Sequence, residues 1–189
     1  RWMGSRNAEY PDPGCVMLAE VLAALEKAAA PGHIDSLDIM QITILVPDIE
    51  AAVRNVSELF GIEAPNIRYH SGPDKCAFYF RGERCEVGAA RLCTFTFGPV
   101  GFEFVEVCDS QNNSWKDYLD KYGYGVRNIG FYVNDLSGAL GALEAKGTFP
   151  IHEAYFPNES YRVVDSEKLI GTRLNIKHRG EENTRMIHP

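Results

Sequence analysis

At 189 residues, 45% hydrophobic and 24% charged, the chain has the composition of an ordinary globular protein with room for one domain and an appendage, which excludes disorder and leaves two independent domains cramped. A net charge of −7 with no run or stripe of Lys and Arg lacks the phosphate-neutralising surface that a nucleic-acid partner requires. No apolar run approaches the roughly 20 residues that span a bilayer, and the opening residues Arg1 to Ser5 have no apolar secretion core, so a cytoplasmic protein with no membrane partner is expected.

In chain order, Asp12 to Ala30 places Leu18, Val21, Leu22 and Leu25 on one face of an amphipathic helix that Pro31-Gly32 ends. Residues 1–36 read as a helical appendage. Ile39 to Val46 is β-branched and apolar and reads as a strand. Pro47-Asp48 then turns into a helix with Ile49, Ala52, Val53, Val56 and Phe60 on one side and Gly61 as its left-handed stop. Shorter strands follow at Cys76–Phe80, Leu92–Phe97 and Phe102–Val107, the last two joined as a hairpin by Gly98-Pro99.

The strand-turn-helix unit returns at Val126 to Val133, Asn134-Asp135, and a helix with Leu136, Ala139, Leu140 and Leu143 inward and Gly147 as its stop. Subtracting 41 from 128 gives an offset of 87, and under it Ile42 matches Ile129, Asp48 matches Asp135 and Val53 matches Leu140. One register aligns strand, cap and helix, so the fold is α+β and built from two similar halves. Strands at Glu153–Phe156, Tyr161–Val164 and Thr172–Lys177 complete the second half.

A strand covered by a helix alternates with period two. With Ile42, Ile44 and Val46 and their counterparts Ile129, Phe131 and Val133 toward the helices, the other face carries Gln41, Thr43, Asn128, Gly130 and Tyr132. Glu103 lies between Phe102 and Phe104, and Asn175 between Leu174 and Ile176. Gln41, Glu103, Asn128 and Asn175 thus point to one concave face. A single Gln or Asn in a strand is ordinarily a surface group; four in equivalent strands are not so easily dismissed. Glu106 falls on the face opposite Glu103, while His70, His152 and His178 read as surface residues. The five cysteines, odd in number and without a CxxC pair, form neither a disulfide framework nor a zinc knuckle.

Val46-Pro-Asp-Ile-Glu50, Val133-Asn-Asp-Leu136, Gly101-Phe-Glu-Phe-Val-Glu106 and Tyr161 to Lys168 leading to Leu174-Asn-Ile176, in that combination, resemble the glyoxalase/bleomycin-resistance/dioxygenase (vicinal oxygen chelate) superfamily. Trp115 to Gly123 is similar to its methylmalonyl-CoA epimerase and lactoylglutathione lyase branches. The resemblance implies paired βαβββ modules forming an eight-stranded open cup in a domain over 37–178, with module one at 37–110 and module two at 124–178; residues 179–189 read as a polar tail. It also implies a homodimer and a divalent metal at positions that map onto Gln41, Glu103, Asn128 and Asn175.

Gln41 and Glu103 fit that ligand pattern, whereas Asn128 and Asn175 stand where an imidazole and a carboxylate belong. One carboxylate and three amides neutralise little of a dication. No tightly bound cofactor is expected, and at most a divalent metal held weakly through Gln41 and Glu103. Three readings stay open. One is a protein that binds a small-molecule ligand through Gln41, Thr43, Asn128 and Asn175 between Tyr79 and Tyr132 as walls. Another is a lyase, isomerase or epimerase with Glu103 as catalytic base and Arg162 as the enolate's stabiliser. The third is an accessory subunit that has lost its chemistry.

Overall fold

The structure, a computed structural model, describes residues 32–70, 76–86, 88–108 and 113–180. The amphipathic helix read over Asp12 to Ala30 lies outside them. In chain order the elements are β1 (Ile39–Leu45), α1 (Ile49–Phe60), β2 (Arg68–Tyr69), β3 (Ala77–Phe80), β4 (Glu83–Cys85), β5 (Ala90–Phe97), β6 (Val100–Val107), α2 (Ser114–Tyr122), β7 (Gly125–Val133), α3 (Leu136–Glu144), β8 (Pro150–Tyr155), β9 (Glu159–Val164), α4 (Glu167–Ile170) and β10 (Arg173–Arg179). Among the described residues no helix is long and apolar enough to cross a membrane.

The two long outer helices start by the same device. Asp48 Oδ1 accepts a hydrogen bond from the Ala51 N–H at 2.9 Å, and Asp135 Oδ1 accepts from the Gly138 N–H at 2.9 Å. Each satisfies a donor that the first helical turn leaves unpaired. Gly61, at φ 62°, ends α1 in the left-handed conformation. Helix α3 stops at Glu144, short of Gly147, whose N–H returns to the Glu144 carbonyl at 2.8 Å.

One open mixed sheet contains ten strands among the described residues, in the order β2-β5-β6-β1-β7-β10-β9-β8-β3-β4. The expectation of eight strands is corrected by β2 and β4, two and three residues long, too short to show any periodicity in sequence. Hairpin β3-β4 leaves the first half and pairs with β8 of the second.

At the centre, β1 and β7 run antiparallel with Ile42 opposite Ile129. These residues are equivalent under the offset of 87, so a pseudo-twofold axis passes through the pair. The flanking parallel ladders obey the same symmetry: Gln41 pairs with Gly101 and Thr43 with Glu103, while Asn128 pairs with Arg173 and Gly130 with Asn175. Glu103 and Asn175 are therefore equivalent by register. The junction also carries two bulges. On β1, Met40 is the extra residue between Ile39 and Gln41; on β7, Arg127 is the extra residue between Asn128 and Val126. Met40 and Arg127 are again equivalent under the offset.

Helix α1 buries Ile49 and Val53 against Cys93, Phe95 and Phe104, and α3 buries Ala139 and Leu143 against Val133, Val164, Leu174 and Ile176. A fully buried side chain such as Ile176, at 0% exposure, stabilises the fold by about 1.5–3 kcal/mol. Phe60 departs from its expected inward position: it is 63% exposed and packs its ring on Phe97 with centroids 4.9 Å apart. The third helix, α2, lies on the opposite, concave face, where Tyr118 packs with Leu45, Ala90, Leu92 and Val105.

Candidate functional site

What α2 leaves open on the concave face is a cavity of about 120 Å³, lined by Gln41 and Thr43 from β1, Glu103 from β6, Asn128 from β7 and Asn175 from β10. A larger cleft of about 550 Å³ opens elsewhere between Lys121, Lys146 and Lys168, and its lining includes none of those five residues. In the cavity wall the Arg127 guanidinium donates to Asn128 Oδ1 at 2.5 Å. Asn128 Nδ2 donates in turn to Thr43 Oγ1 at 3.1 Å, and the Thr43 hydroxyl donates to Glu103 Oε2 at 3.2 Å. Asn128 is fully buried, and the Oδ1 of Asn175 is buried without a hydrogen-bond partner.

Three residues expected at the site lie elsewhere. Arg162 turns to the helix-covered face, ion-paired to Glu153 at 3.1 Å with its guanidinium 4.3 Å from the Tyr155 ring centroid. Tyr79 belongs to the same cluster, edge-on to Tyr155 at 5.8 Å. Tyr132 is outside the cavity lining; its hydroxyl donates to Glu159 at 3.3 Å, and Arg179 sits over its ring at 4.1 Å. Glu106 lies opposite Glu103, where it accepts the Ile49 N–H at 3.1 Å and supports the start of α1.

In place of those three, the cavity is completed by Arg127, Lys177, His70, His152, Tyr161 and Trp115, among others. Reading His70 and His152 as surface residues is corrected here. His70 follows the short strand β2, where its N–H bonds the Ala90 carbonyl at 2.8 Å. His152 follows a bulge at Ile151 on β8, which brings it opposite Val163 and turns the ring inward. Its Nε2 lies 3.2 Å from the Tyr161 hydroxyl, while His152 Nδ1 and His70 Nε2 are buried without partners.

Burial, reinforced by the charges of Arg127, His70 and Arg173, pushes His152 down to about 3. Burial likewise lowers His70, helped by Arg68. Both rings are thus neutral near pH 7. Burial raises the Tyr161 hydroxyl, which stays protonated. It also lowers the Lys177 ammonium, against the opposing pull of Glu103 and Glu159. Lys177 was legible: the alternation that turns Asn175 inward turns Lys177 inward as well. Arg127 was not, because period two assigns it to the helix side and the bulge reverses that.

The donor set does not fit the divalent metal that the fold implies. Asn128's amide oxygen is already engaged by a guanidinium, so a dication there would face a buried positive charge at close range. Among the described residues no three His, Cys, Asp or Glu side chains converge as metal ligands. The arrangement instead presents one carboxylate, Glu103, several amide and hydroxyl groups, and fixed cations.

Solved structures similar to this chain include methylmalonyl-CoA epimerase from Mycobacterium tuberculosis, at 14% identity and a TM-score of 0.50 over 80% of this chain and 92% of that one. A hypothetical protein from Bacillus halodurans C-125 matches at 12% identity and a TM-score of 0.53, over 77% of this chain and 96% of that one. At such identity the likeness is one of fold. The search of curated proteins gives no match. The sequence profile of the glyoxalase/bleomycin resistance protein/dioxygenase superfamily matches residues 40–164. With the repeat, the paired ladders and that match across well over half its length, the chain belongs to the glyoxalase/bleomycin resistance protein/dioxygenase superfamily.

Proposed function

We propose that this chain binds a small organic molecule in the concave cavity, with Gln41, Glu103, Asn128 and Asn175 as the groups that orient it. The observation that carries this reading is their convergence, from strands in equivalent register, on one cavity of about 120 Å³. The unpartnered oxygen of Asn175 supports it, since a buried acceptor without a donor is costly unless something fills it. The space matches about four waters, so the part of the ligand seated there has few non-hydrogen atoms. No metal takes part in this reading. The protein would act as a cytoplasmic homodimer, which light scattering would show as about twice the 21.1 kDa chain mass.

The test is a screen of small polar organic molecules, read by amide and side-chain NMR shifts. Binding should move the Asn175 and Gln41 side-chain signals, and a set of binders that moves neither would overturn the proposal. One feature favours a second reading, that of a lyase, isomerase or epimerase: Glu103 shares the cavity with Arg127 and Lys177. Its carboxylate would take a proton from a carbon beside a carbonyl, and the electron pair would pass to the carbonyl oxygen, facing those cations. Solvent deuterium exchange at that carbon would then vanish in Glu103→Gln, and exchange persisting at the same rate would remove Glu103 as the base.

A further inference from the structure

We propose that the cavity is an anion site for the carboxylate of a small organic acid, with the Arg127 guanidinium and the Lys177 ammonium taking its negative end. This rests on the reading that the cavity holds a ligand at all. The first observation is Arg127 itself, 3% exposed. It donates to Asn128 Oδ1 and to Ser114 Oγ, both neutral, and its Nε is buried with no partner. A buried charge without a counter-charge is destabilising, and the group is retained at low cost only if an anion arrives to meet it.

The other buried arginines show that this is not the habit of the fold. Arg173 is ion-paired to Asp117 at 2.8 Å and to Glu167 at 2.5 Å, and Arg162 is paired to Glu153. Arg127, at 3% exposure between the 1% of Arg173 and the 7% of Arg162, has no ion pair within 4.0 Å among the described residues, and the bulge on β7 aims it at the cavity. The surrounding charge agrees. Arg68, Arg127 and Lys177 line the cavity against a single carboxylate, Glu103, leaving a positive field in a low-dielectric pocket. A planar carboxylate suits the forked donors of a guanidinium, and the four-water volume limits the part of the acid seated there to a few non-hydrogen atoms. The positive charge that a metal would bring is in this way carried by the chain itself.

The test compares acetate, propionate and pyruvate with acetamide and propionamide by calorimetry at constant ionic strength, on the wild type and on Lys177→Met and Arg127→Met. The acids should bind at least about tenfold tighter than the amides, and Lys177→Met should weaken them by about tenfold. Arg127→Met should abolish binding and raise the melting temperature of the unliganded protein, because the uncompensated charge is gone. A purely structural arginine would do the reverse, lowering that temperature while leaving acid binding unchanged. If Arg127→Met fails to fold, Lys177→Met decides the matter. Amides binding as well as the acids, or acids binding equally to Lys177→Met and wild type, would overturn the anion site and leave ligand binding standing. If neither series binds, the anion site is likewise overturned, while the ligand reading stands or falls on the wider screen of small polar molecules.

Discussion

The two halves share a backbone and differ in charge. On the concave face, β6 presents Gly101, Glu103 and Val105, and the register-equivalent positions of β10 present Arg173, Asn175 and Lys177. At the paired bulges the first half has Met40 and the second Arg127. What the repeat preserves is the means of building the fold: ladder register, aspartate caps and the apolar faces under α1 and α3. What it does not preserve is the side chemistry: around the pseudo-twofold axis the carboxylate in the cavity lining, Glu103, comes from the first half, and the cations Arg127 and Lys177 come from the second. Symmetry built the cup, and its loss supplies the polarity a ligand would read.

The largest test of this contrast concerns how each half supports its charges. Asp117 holds buried Arg173, and also Arg81 and Lys121, at 2.7–2.8 Å. Burial alone would raise its carboxyl, but the hydrogen bonds from Lys121 and Arg173 outweigh that and hold it below the usual range. Asp117→Asn should cost about 3 kcal/mol in urea unfolding, because it leaves Arg173 undercompensated in the interior. In the first half Glu106 faces the more accessible Arg91 at 3.4 Å, and Glu106→Gln should cost under about 1 kcal/mol. Equal losses would erase the distinction.

A smaller effect comes from pH. His152 is held neutral in the folded state, near 3, whereas the unfolded chain takes up a proton below about 6.5. The unfolded state therefore binds more protons on acidification, and stability falls as pH drops below about 6.5, by about 2 kcal/mol at about pH 5. His70, lowered for the same reason, adds in the same direction. Denaturant titrations at a series of pH values should show His152→Gln flattening this slope by about one proton. An unchanged slope would mean that the His152 ring is not held neutral.

The smallest effect sharpens the likeness of the halves. Asp48→Ala and Asp135→Ala each remove one equivalent cap bond of 2.9 Å and should each cost about 1 kcal/mol. A loss confined to one half would show that the repeat is not energetically equivalent.

Much of this was written in local order along the chain. The offset of 87, the two caps, Gly61 as the stop of α1, the hairpin β5-β6 and the inward placement of Gln41, Glu103, Asn128 and Asn175 follow from alternation and turn chemistry, because each depends on residues a few positions apart. The readings that strayed are those in which a distant partner decides direction. Arg162 and Tyr79 looked available, but the pairing of β3, β8 and β9 gathers them with Glu153 and Tyr155 on the helix-covered side.

The sequence by itself determined a two-fold α+β framework, its caps and the face on which the amides gather, since those depend on periods of 2 and 3.6 residues and on short turns. Only the tertiary structure decided that α2 folds over the concave face and reduces the cup to a small cavity. It alone turned Arg127 and His152 inward through bulges and carried hairpin β3-β4 across to β8. The physical reason is that an extra residue in a ladder, or a pairing across the whole sheet, leaves no period in the sequence, yet it decides which face a side chain meets.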